Sequence, residues 1–534
     1  MKKPNTKVKQ QQVRKRQKAA RGEKRKTRQG FSGLKRNQMQ MAKKLLRGEV
    51  PLVCATAWGF VDGLLTFMGQ IGFWEVLNIE GSRFKRKMLS VCQLLATYEL
   101  KILLGIVSIN QVEVKLFREV ALLRMVGYTT QQLQEGICRR GTGERKPMHG
   151  ALLADAIERL TVQELDWLLQ ETVKHLVKER LLWHSKGQYA LDASDLPTTK
   201  KYKGAGKRTI MRRKRTKDGE WVEIPETVYG FKVLIVYEVK LRLVVAAKVV
   251  PIQSHESKYT LELVQQAQRN LGSETPLKVL LMDRGFLDGQ TLWTLKHELG
   301  IDWVIPVRRN MAVAVDARQL ACEPVDGLYI THGHRPATGF KGQGQVSLRG
   351  IKDVLTFDTY GDAQHQTTIN TKAFQPNPLN ALVVTRWRDR PHKKDKQPVF
   401  LTTLDITQPL RILGLYGLRA LIENTAFREL KQGWNLLAFP KKTLAAVRAH
   451  VYLTLLCFTL VNAYTSKRGQ ALMQNGIRQQ RSRNFQALLV MVIDDTTGSY
   501  ALFHLEELLT LLGHPPDICL AINPNEVLRR YGAA

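Results

Sequence analysis

The most constraining feature of the sequence is a tandem of two strand-like runs, followed by a regular alternation of helix and strand. YGFKVLIVYEV and LRLVVAAKVVPI are rich in β-branched and aromatic residues and lie close together, which predicts a hairpin. The helical SKYTLELVQQAQRNLG, the strand LKVLLMD, the helical DGQTLWTLKHELG and the strand WVIPV follow in order. A hairpin that continues into alternating helices and strands predicts an α/β fold, with helices on the faces of a mixed sheet.

Hydropathy and charge patterns divide the 534 residues into six segments. We expect a flexible basic arm (1–50), an all-α region with a possible DNA-binding role (51–185), the first part of the α/β domain (186–310), a β-rich insertion (311–397), the second part of the domain (398–470) and a C-terminal helical region (471–534). The most apolar run, VYLTLLCFTLV, is shorter than the roughly 18–20 residues of a membrane span, so it predicts a buried helix and no membrane partner.

The charge of the chain points to a polyanionic partner. The formal net charge is +35, and residues 1–50 hold 18 Lys and Arg against two Glu, a net of 18 − 2 = +16. Such an excess is self-repelling unless phosphates neutralise it, so nucleic acid is the leading candidate. A solubilising tail is the alternative interpretation of the arm, which lacks the apolar segment of a secretory signal but could mimic a transit peptide.

Three carboxylates could converge at the edge of the predicted sheet. Asp192 follows YAL, Asp283 follows VLLM, and Glu423 lies in the predicted helix LRILGLYGLRALIENTAFRELKQGW. Oxygen ligands on a rigid sheet suit Mg²⁺ or Mn²⁺, and two such ions about 4 Å apart can support in-line displacement at phosphorus. Asp195 is an alternative for the first acid and Glu429 for the third.

The sequence around these acids resembles that of the DDE transposases of bacterial insertion sequences. LDASDLPTT, LMDRGF and YGLRALIENTAFRELKQGW carry the resemblance, which covers roughly residues 185 to 465. One branch of the family has the third acid in a signature of Tyr, two residues, Arg, three residues, Glu, six residues and Lys, together with a β-rich insertion before the Glu. Tyr416, Arg419 and Glu423 fit it and share one helical face, but its lysine position is Leu430. Lys431 comes one residue late, and a local helical bulge would be needed to bring it into phase.

What the resemblance implies is a ribonuclease-H-like catalytic domain in which Asp192, Asp283 and Glu423 are catalytic and hold two Mg²⁺ ions, with Mn²⁺ as a possible substitute. It implies hydrolysis at the ends of the element, followed by attack of the freed 3′-hydroxyl on target DNA. Tyr416, Arg419, Lys431 and Arg284 are the expected contacts to double-stranded DNA, with a structural ion pair as the alternative for Arg284. The family further implies a homodimer in the synaptic complex and a bacterial cytoplasmic, nucleoid-associated location. A catalytically inactive, repurposed transposase that only binds nucleic acid is the alternative, and a nuclease that cuts without joining is another.

Several other segments are weaker candidates. EVALLRMVGYTTQQLQEGICRR could be a helix-turn-helix with Thr130 as N-cap, and TKKYKGAGKRTIMRRKRTKDG predicts a basic loop that faces DNA. His332 and His334 lack a third ligand nearby, so surface positions are favoured over a metal site. Trp387 and Trp434 are expected to be packing residues, although stacking on a flipped base is an alternative. RWRDRPHKKDK is expected to extend the phosphate-binding surface.

Overall fold

The protein is described by a computed structural model for residues 34–49, 52–56, 58, 61–79, 89–135, 148–215, 221–334, 345–361, 377–387, 390–468 and 489–513. Most of the predicted basic arm therefore lies outside the described residues. The chain forms two compact units, one of Met1–Leu168 with Gly433–Ala534 and one of Leu169–Gln432. The division at residue 432 precedes the predicted domain boundary at residue 470.

The second unit is built on a mixed sheet of eleven strands among its described residues. The strands are β1 (Gln188–Thr198), β2 (Gly206–Arg215), β3 (Trp221–Glu238), β4 (Leu243–Pro251), β5 (Val279–Met282), β6 (Asp302–Pro306), β7 (Leu328–His334), β8 (Gln345–Val354), β9 (Leu379–Trp387), β10 (Arg390–Pro391) and β11 (Val399–Thr402). Their order is β2-β3-β1-β5-β6-β11-β9-β8-β7, with β4 also paired to β3 and β10 to β9. This architecture confirms the predicted mixed α/β fold.

Strand direction in this sheet follows the length of the connections. β3 is antiparallel to β1, β2 and β4, and only short stretches of sequence separate β1 from β2, β2 from β3 and β3 from β4. β1 is parallel to β5, and β5 is parallel to β6, because a helix connects β4 to β5 and another connects β5 to β6. The segment predicted as a β-rich insertion supplies β7 to β10, which extend the same sheet through β11.

The helices of the second unit have apolar faces that are buried. They are Thr260–Leu271, Gly289–His297, Ala312–Leu320, Asp358–Gly361, Pro409–Leu418, the π-helical Ile422–Phe427 and Arg428–Gln432, with 3₁₀ turns at Leu181–His184, Ser257–Tyr259, Arg284–Phe286 and Lys394–Lys396. Thr260–Leu271 shows why they form: Leu263, Val264, Ala267 and Leu271 recur at helical spacing and are buried. The helix Val162–Lys178 contains a boundary between the two units, because the first stretch of the first unit ends at Leu168.

The first unit is organised around the long helix Leu444–Arg468. Its other helices are Gln38–Leu46, Asp62–Gln70, Phe73–Val76, Val91–Leu103, Val112–Lys115, Val120–Met125, Thr130–Glu135, Ala151–Glu158 and Leu505–Leu511, with a 3₁₀ turn at Ile109–Gln111. The stretch Leu444–Lys467 is long and apolar enough to cross a membrane by length and composition, and 83% of its most apolar window is buried inside the protein. It extends well beyond the apolar run from which the buried helix was predicted.

The first unit also contains a small sheet that the sequence did not predict. Its strands are ordered Lys35–Arg36, Ser499–His504, Leu489–Asp494 and Leu52–Thr56. The prediction of an all-α region at 51–185 is therefore wrong for Leu52–Thr56, and the helical C-terminal prediction is wrong for both late strands. Leu52–Thr56 pairs with Leu489–Asp494 across more than 400 residues of sequence, which local periodicity cannot reveal. The two late strands pair with each other across only four residues, a local hairpin that the helical prediction overlooked.

Two local predictions are also corrected. The proposed second helix of the helix-turn-helix is capped by Thr129, whose hydroxyl accepts the Gln132 N–H at 3.1 Å, while the Thr130 hydroxyl donates to Asp495. Residues 136–147, which include the end of that candidate motif, lie outside the described residues. The predicted basic loop contains the strand β2, because its residues pair with the first half of β3.

Candidate active site

Two of the predicted acids lie at the same level of adjacent parallel strands: Asp192 is inside β1, which continues to Thr198, and not at a strand end as expected, whereas Asp283 directly follows the end of β5. Leu191 of β1 is paired with Met282, the last residue of β5, so Asp192 and Asp283 are the next residues on neighbouring strands. Asp283 then begins the 3₁₀ turn Arg284–Phe286. The carboxyl end of a parallel strand pair is where α/β sheets place ligand-binding groups.

Asp192 is the most deeply buried member of the site, with 6% of the residue exposed. Its Oδ1 accepts the Ala193 N–H at 2.8 Å, and its Oδ2 accepts a hydrogen bond from Arg419 Nη1 at 2.8 Å. Burial raises the pKa of the Asp192 carboxyl to about 7, with Glu423 and Asp283 adding to the rise and Arg419 opposing it. Asp192 therefore lies within electrostatic range of both other acids.

Arg419 joins the first and third acids. Its Nη2 donates to Glu423 Oε1 at 3.0 Å, while its Nη1 holds Asp192. The arginine side chain is 12% exposed, whereas the Glu423 side chain is 51% exposed. Asp283 makes no hydrogen bond or ion pair with its side chain in the part of the chain that is described, and Arg419 also feels its charge. The guanidinium therefore supplies the positive charge among the three carboxylates.

Tyr416 supports the arginine from one turn earlier in the helix. The Arg419 guanidinium lies 5.8 Å from the centroid of the Tyr416 ring, which in turn packs on Phe400 of β11 with centroids 4.6 Å apart. Burial raises the pKa of the Tyr416 hydroxyl to about 12, and Asp283 and Asp192 reinforce the rise against Arg419. The phenol is therefore a neutral hydrogen-bonding group at physiological pH.

A π-helical segment separates Glu423 from Lys431. Ile422–Phe427 is π-helical, and Arg428–Gln432 continues as α-helix. A π turn takes up one extra residue without adding a turn, so Lys431 comes into the phase that Leu430 would have in a regular α-helix. Leu430 is instead fully buried. Lys431 is half-buried, and burial lowers its pKa while Asp195 opposes the change.

The family assignment rests on a match over more than half of the chain. The profile of the transposase DDE domain family matches residues 183–460. The chain belongs to the DDE transposase family. This membership supports DNA transposition and recombination as its field of activity, with DNA as a partner and phosphoryl transfer as the chemistry.

No curated protein matches the transposase. Among solved structures, it is similar to a piggyBac transposase in a synaptic complex with hairpin DNA, determined by cryo-EM. The identity is 10% and the TM-score 0.35, over 84% of this chain and 79% of that chain.

The alternative acids occupy other surroundings in the transposase. Asp195 forms an ion pair with Arg208 of β2 at 2.5 Å, outside the contacts that join Asp192, Arg419 and Glu423. Glu429 acts on Tyr237, whose pKa is raised by burial and further by this carboxylate. The structure thus brings Asp192 and Glu423 into contact with Arg419.

The three acids fit the divalent cations that their family generally uses. All their ligand atoms are carboxylate oxygens, which suit Mg²⁺ or Mn²⁺, and their mutual repulsion favours a bound cation. Within the described residues, no group of three or more His, Cys, Asp or Glu side chains is placed closely enough to hold an ion. Arg419 occupies two of the candidate ligands with its hydrogen bonds, so its guanidinium would have to release them.

The other candidate residues do not join this site. His332 and His334 are both exposed on β7, and Trp434 is a buried residue of the first unit whose ring lies 6.0 Å from that of Phe458. Trp387 ends β9, and part of the basic segment that follows it, residues 388–389, lies outside the described residues. The side chain of Arg284 is exposed and makes no ion pair with any described residue, which removes the structural ion pair as its explanation.

An ion pair beside Asp283 was missed by the sequence reasoning. Lys232, which is buried on β3, donates to Glu256 at 2.7 Å and to the Ser254 carbonyl at 3.3 Å. A Cβ added to Gly285 would lie 2.6 Å from Glu256 Oε2, so the turn after Asp283 lies directly against this carboxylate. Neither residue follows an apolar run or carries a motif, and the contact therefore has no local signal in the sequence.

Proposed function

We propose that this transposase binds the ends of an insertion sequence, hydrolyses a phosphodiester there, and joins the freed 3′-hydroxyl to target DNA. The observation that carries the proposal is the grouping of Asp192, Glu423 and Arg419, with Asp283 on the strand next to Asp192. The strand order β4-β3-β1-β5-β6, antiparallel at first and then parallel, supports a ribonuclease-H-like core.

Asp192, Asp283 and Glu423 are the residues that would hold two Mg²⁺ ions. When bound, such ions supply activation of a water or 3′-hydroxyl and stabilisation of the leaving oxygen. The chain itself fixes the ligands: Asp192 is held by the Ala193 N–H, and Asp283 follows directly on β5. The Glu423 side chain is half-exposed, and its hydrogen bond to Arg419 is the contact that it would exchange for an ion.

The basic residues around the acids are proposed to bind the DNA backbone. A guanidinium matches phosphate oxygens well, so Arg419 can exchange its carboxylate partners for a phosphate when cations neutralise the acids. Lys431 has the phase of the lysine in the Tyr-Arg-Glu-Lys branch because of the π turn. Arg284 is exposed directly after Asp283 and requires no rearrangement to reach DNA.

The assembly and setting are proposals from the family resemblance. Joining two ends requires two active sites near each other, which favours a homodimer on DNA. The resemblance to insertion-sequence enzymes favours a bacterial protein that works on the nucleoid in the cytoplasm.

A strand-transfer assay with matched variants tests this proposal. The substrates are duplexes taken from the DNA that flanks the gene, and the readouts are cut ends and joined products in Mg²⁺. Asp283→Asn and Glu423→Gln should abolish both products and keep DNA binding. Asp288→Asn and Glu429→Gln remove the same charges from the same segments, and both should stay active, since Asp288 is a helix N-cap and Asn caps equally well.

Each departure from this pattern has a definite meaning. Cutting without joining would identify a nuclease, and binding with no cutting by the unmodified chain would identify a repurposed DNA-binding protein. Full activity of Asp283→Asn would show that the Asp283 carboxylate is not required for the reaction.

A further inference from the structure

A two-stranded ribbon extends beyond the body of the sheet. β1 ends at Thr198, which pairs with Tyr229, and among the described strands residues 221–228 of β3 pair only with β2. The ribbon, defined as residues 207–215 and 221–229, contains nine cross-strand pairs from Lys207 with Tyr229 to Arg215 with Trp221. At roughly 3.3 Å per residue, eight steps give a length of about 26 Å.

The ribbon is strongly basic. Its first strand carries six cationic side chains and its second strand two acids, a net of 6 − 2 = +4: Lys207, Arg208, Arg212, Arg213, Lys214 and Arg215 against Glu223 and Glu226. The ion pairs Arg212–Glu226 at 3.2 Å and Arg213–Glu223 at 3.1 Å use both acids. Because these ion pairs still leave a net positive charge on the ribbon, an anionic partner is favoured.

The ribbon also exposes large apolar side chains. Trp221 is 68% exposed and Met211 59% exposed, and Val222 and Ile224 are exposed as well. A lone two-stranded hairpin is marginally stable in water, so side chains of this kind gain little from the ribbon itself. Basic and apolar groups interleaved on one ribbon match a surface that offers both phosphates and base edges.

The base of the ribbon is fixed close to the catalytic acids. Arg208 pairs with Asp195, which is three residues beyond Asp192 on β1. Asp192 is paired with Ile235 of β3. Toward the start of β3, Val228 lies seven residues and Trp221 fourteen residues from Ile235. At roughly 3.3 Å per residue these separations are about 23 Å and 46 Å.

We propose that this ribbon lies in the major groove of the DNA duplex whose end is held at the catalytic acids. The major groove admits a two-stranded β-ribbon, and the thymine methyl groups there can contact apolar side chains. With a rise of about 3.4 Å per base pair, the ribbon reaches the groove about 7–14 base pairs from the reacting phosphate. This distance rests on the proposed function, whereas insertion into the groove does not.

The test combines a charge-removal variant with a matched control. Arg212, Arg213 and Lys214 are replaced by Ala together; the control replaces Lys178, Arg269 and Lys352, which are exposed elsewhere on the same unit. Both are made in the Asp283→Asn background, so that binding is measured without cutting. The probe is a duplex of about 40 base pairs from the flanking DNA, long enough to cover the expected contacts.

Loss of three phosphate contacts lowers the salt slope by about 2.7, so between 50 and 200 mM salt the unmodified ribbon should lose about 40-fold more affinity than the variant. Protection of guanine N7 from methylation, a major-groove reporter, should disappear about 7–14 base pairs from the end in the ribbon variant alone. The control triple should match the parent protein in both measurements.

Three results would overturn the proposal: equal salt slopes in the two triples, unchanged N7 protection, or a loss of dimerisation in the ribbon variant with DNA contacts intact. The last would make a second copy of the chain the occupant. The proposed function can fail separately, since a protein that never cuts can still show ribbon-dependent N7 protection, and one that cuts normally can lack it.

Discussion

Replacing Arg419 by Gln tests whether the three carboxylates of the site depend on a neighbouring positive charge for local stability. Breaking a buried pair such as Asp192–Arg419 costs about 3–5 kcal/mol, and the pair with the half-exposed Glu423 adds about 0–1 kcal/mol. Glutamine recovers about 1 kcal/mol through a remaining hydrogen bond. The net expectation is a loss of about 2–5 kcal/mol in local stability without divalent cations, which is about 30- to 4,000-fold in an opening equilibrium.

Hydrogen exchange measured by mass spectrometry reports this loss of stability peptide by peptide. A local measurement is needed because a chain of two compact units need not unfold in a single two-state transition. Peptides from β1 and β5 should exchange faster in Arg419→Gln without Mg²⁺, and about 10 mM Mg²⁺ should restore more protection in the variant than in the unmodified protein. Arg428→Gln, an exposed change in the following helix, should have neither effect. Unchanged exchange, or an equal response to Mg²⁺ in both proteins, would refute the reasoning.

Three further predictions concern single positions. Deletion of Asn424, an exposed residue of the π segment, should convert that segment to regular α-helix and keep Lys431 in phase, so strand transfer should survive; a loss as complete as that of Glu423→Gln would contradict the π-turn argument. Gly285→Ala brings a Cβ within 2.6 Å of Glu256 Oε2, and because the ion pair with Lys232 restrains this carboxylate, the turn after Asp283 should shift and cutting should fall by up to about 100-fold with DNA affinity kept; a normal rate in the same assay would show that the Glu256 side chain moves instead. Glu99 is buried with neither carboxylate oxygen hydrogen-bonded among the described residues, and burial raises its pKa well above the ordinary 4.5. Its contribution to stability is therefore full below pH 4.5 and is lost as pH rises, at about 1.4 kcal/mol per pH unit; Glu99→Gln should flatten this decline in thermal unfolding between pH 5 and 7, and an unchanged profile would count against it.

The sequence was most informative for the parts of the site that depend on residues close together in the chain. Asp192 and Asp283 each follow an apolar run, and these runs, together with the family resemblance, predicted that the two acids lie on neighbouring strands, as the strand pairing has them. The displaced Lys431 could take the signature position only if the helix carried a local bulge, and the π turn Ile422–Phe427 lies where that bulge would be needed.

Features that depend on distant pairing could not be predicted. The strand Leu52–Thr56 pairs with Leu489–Asp494, and no local pattern links them. The charge of the basic run in β2 was predicted correctly, but its conformation was not. It was expected to be a loop, and it forms a strand because it pairs with the exposed half of β3. The contact of Glu256 with Gly285 depends on two loops that the sheet brings together.

The most direct test of the account is excision in cells, with the gene supplied beside its native flanking DNA. The account predicts excised or joined product from the unmodified chain and from Asp288→Asn, and none from Asp283→Asn, although all three proteins bind the flanking DNA. Equal product from Asp283→Asn and the unmodified chain would contradict the assignment of the catalytic acids.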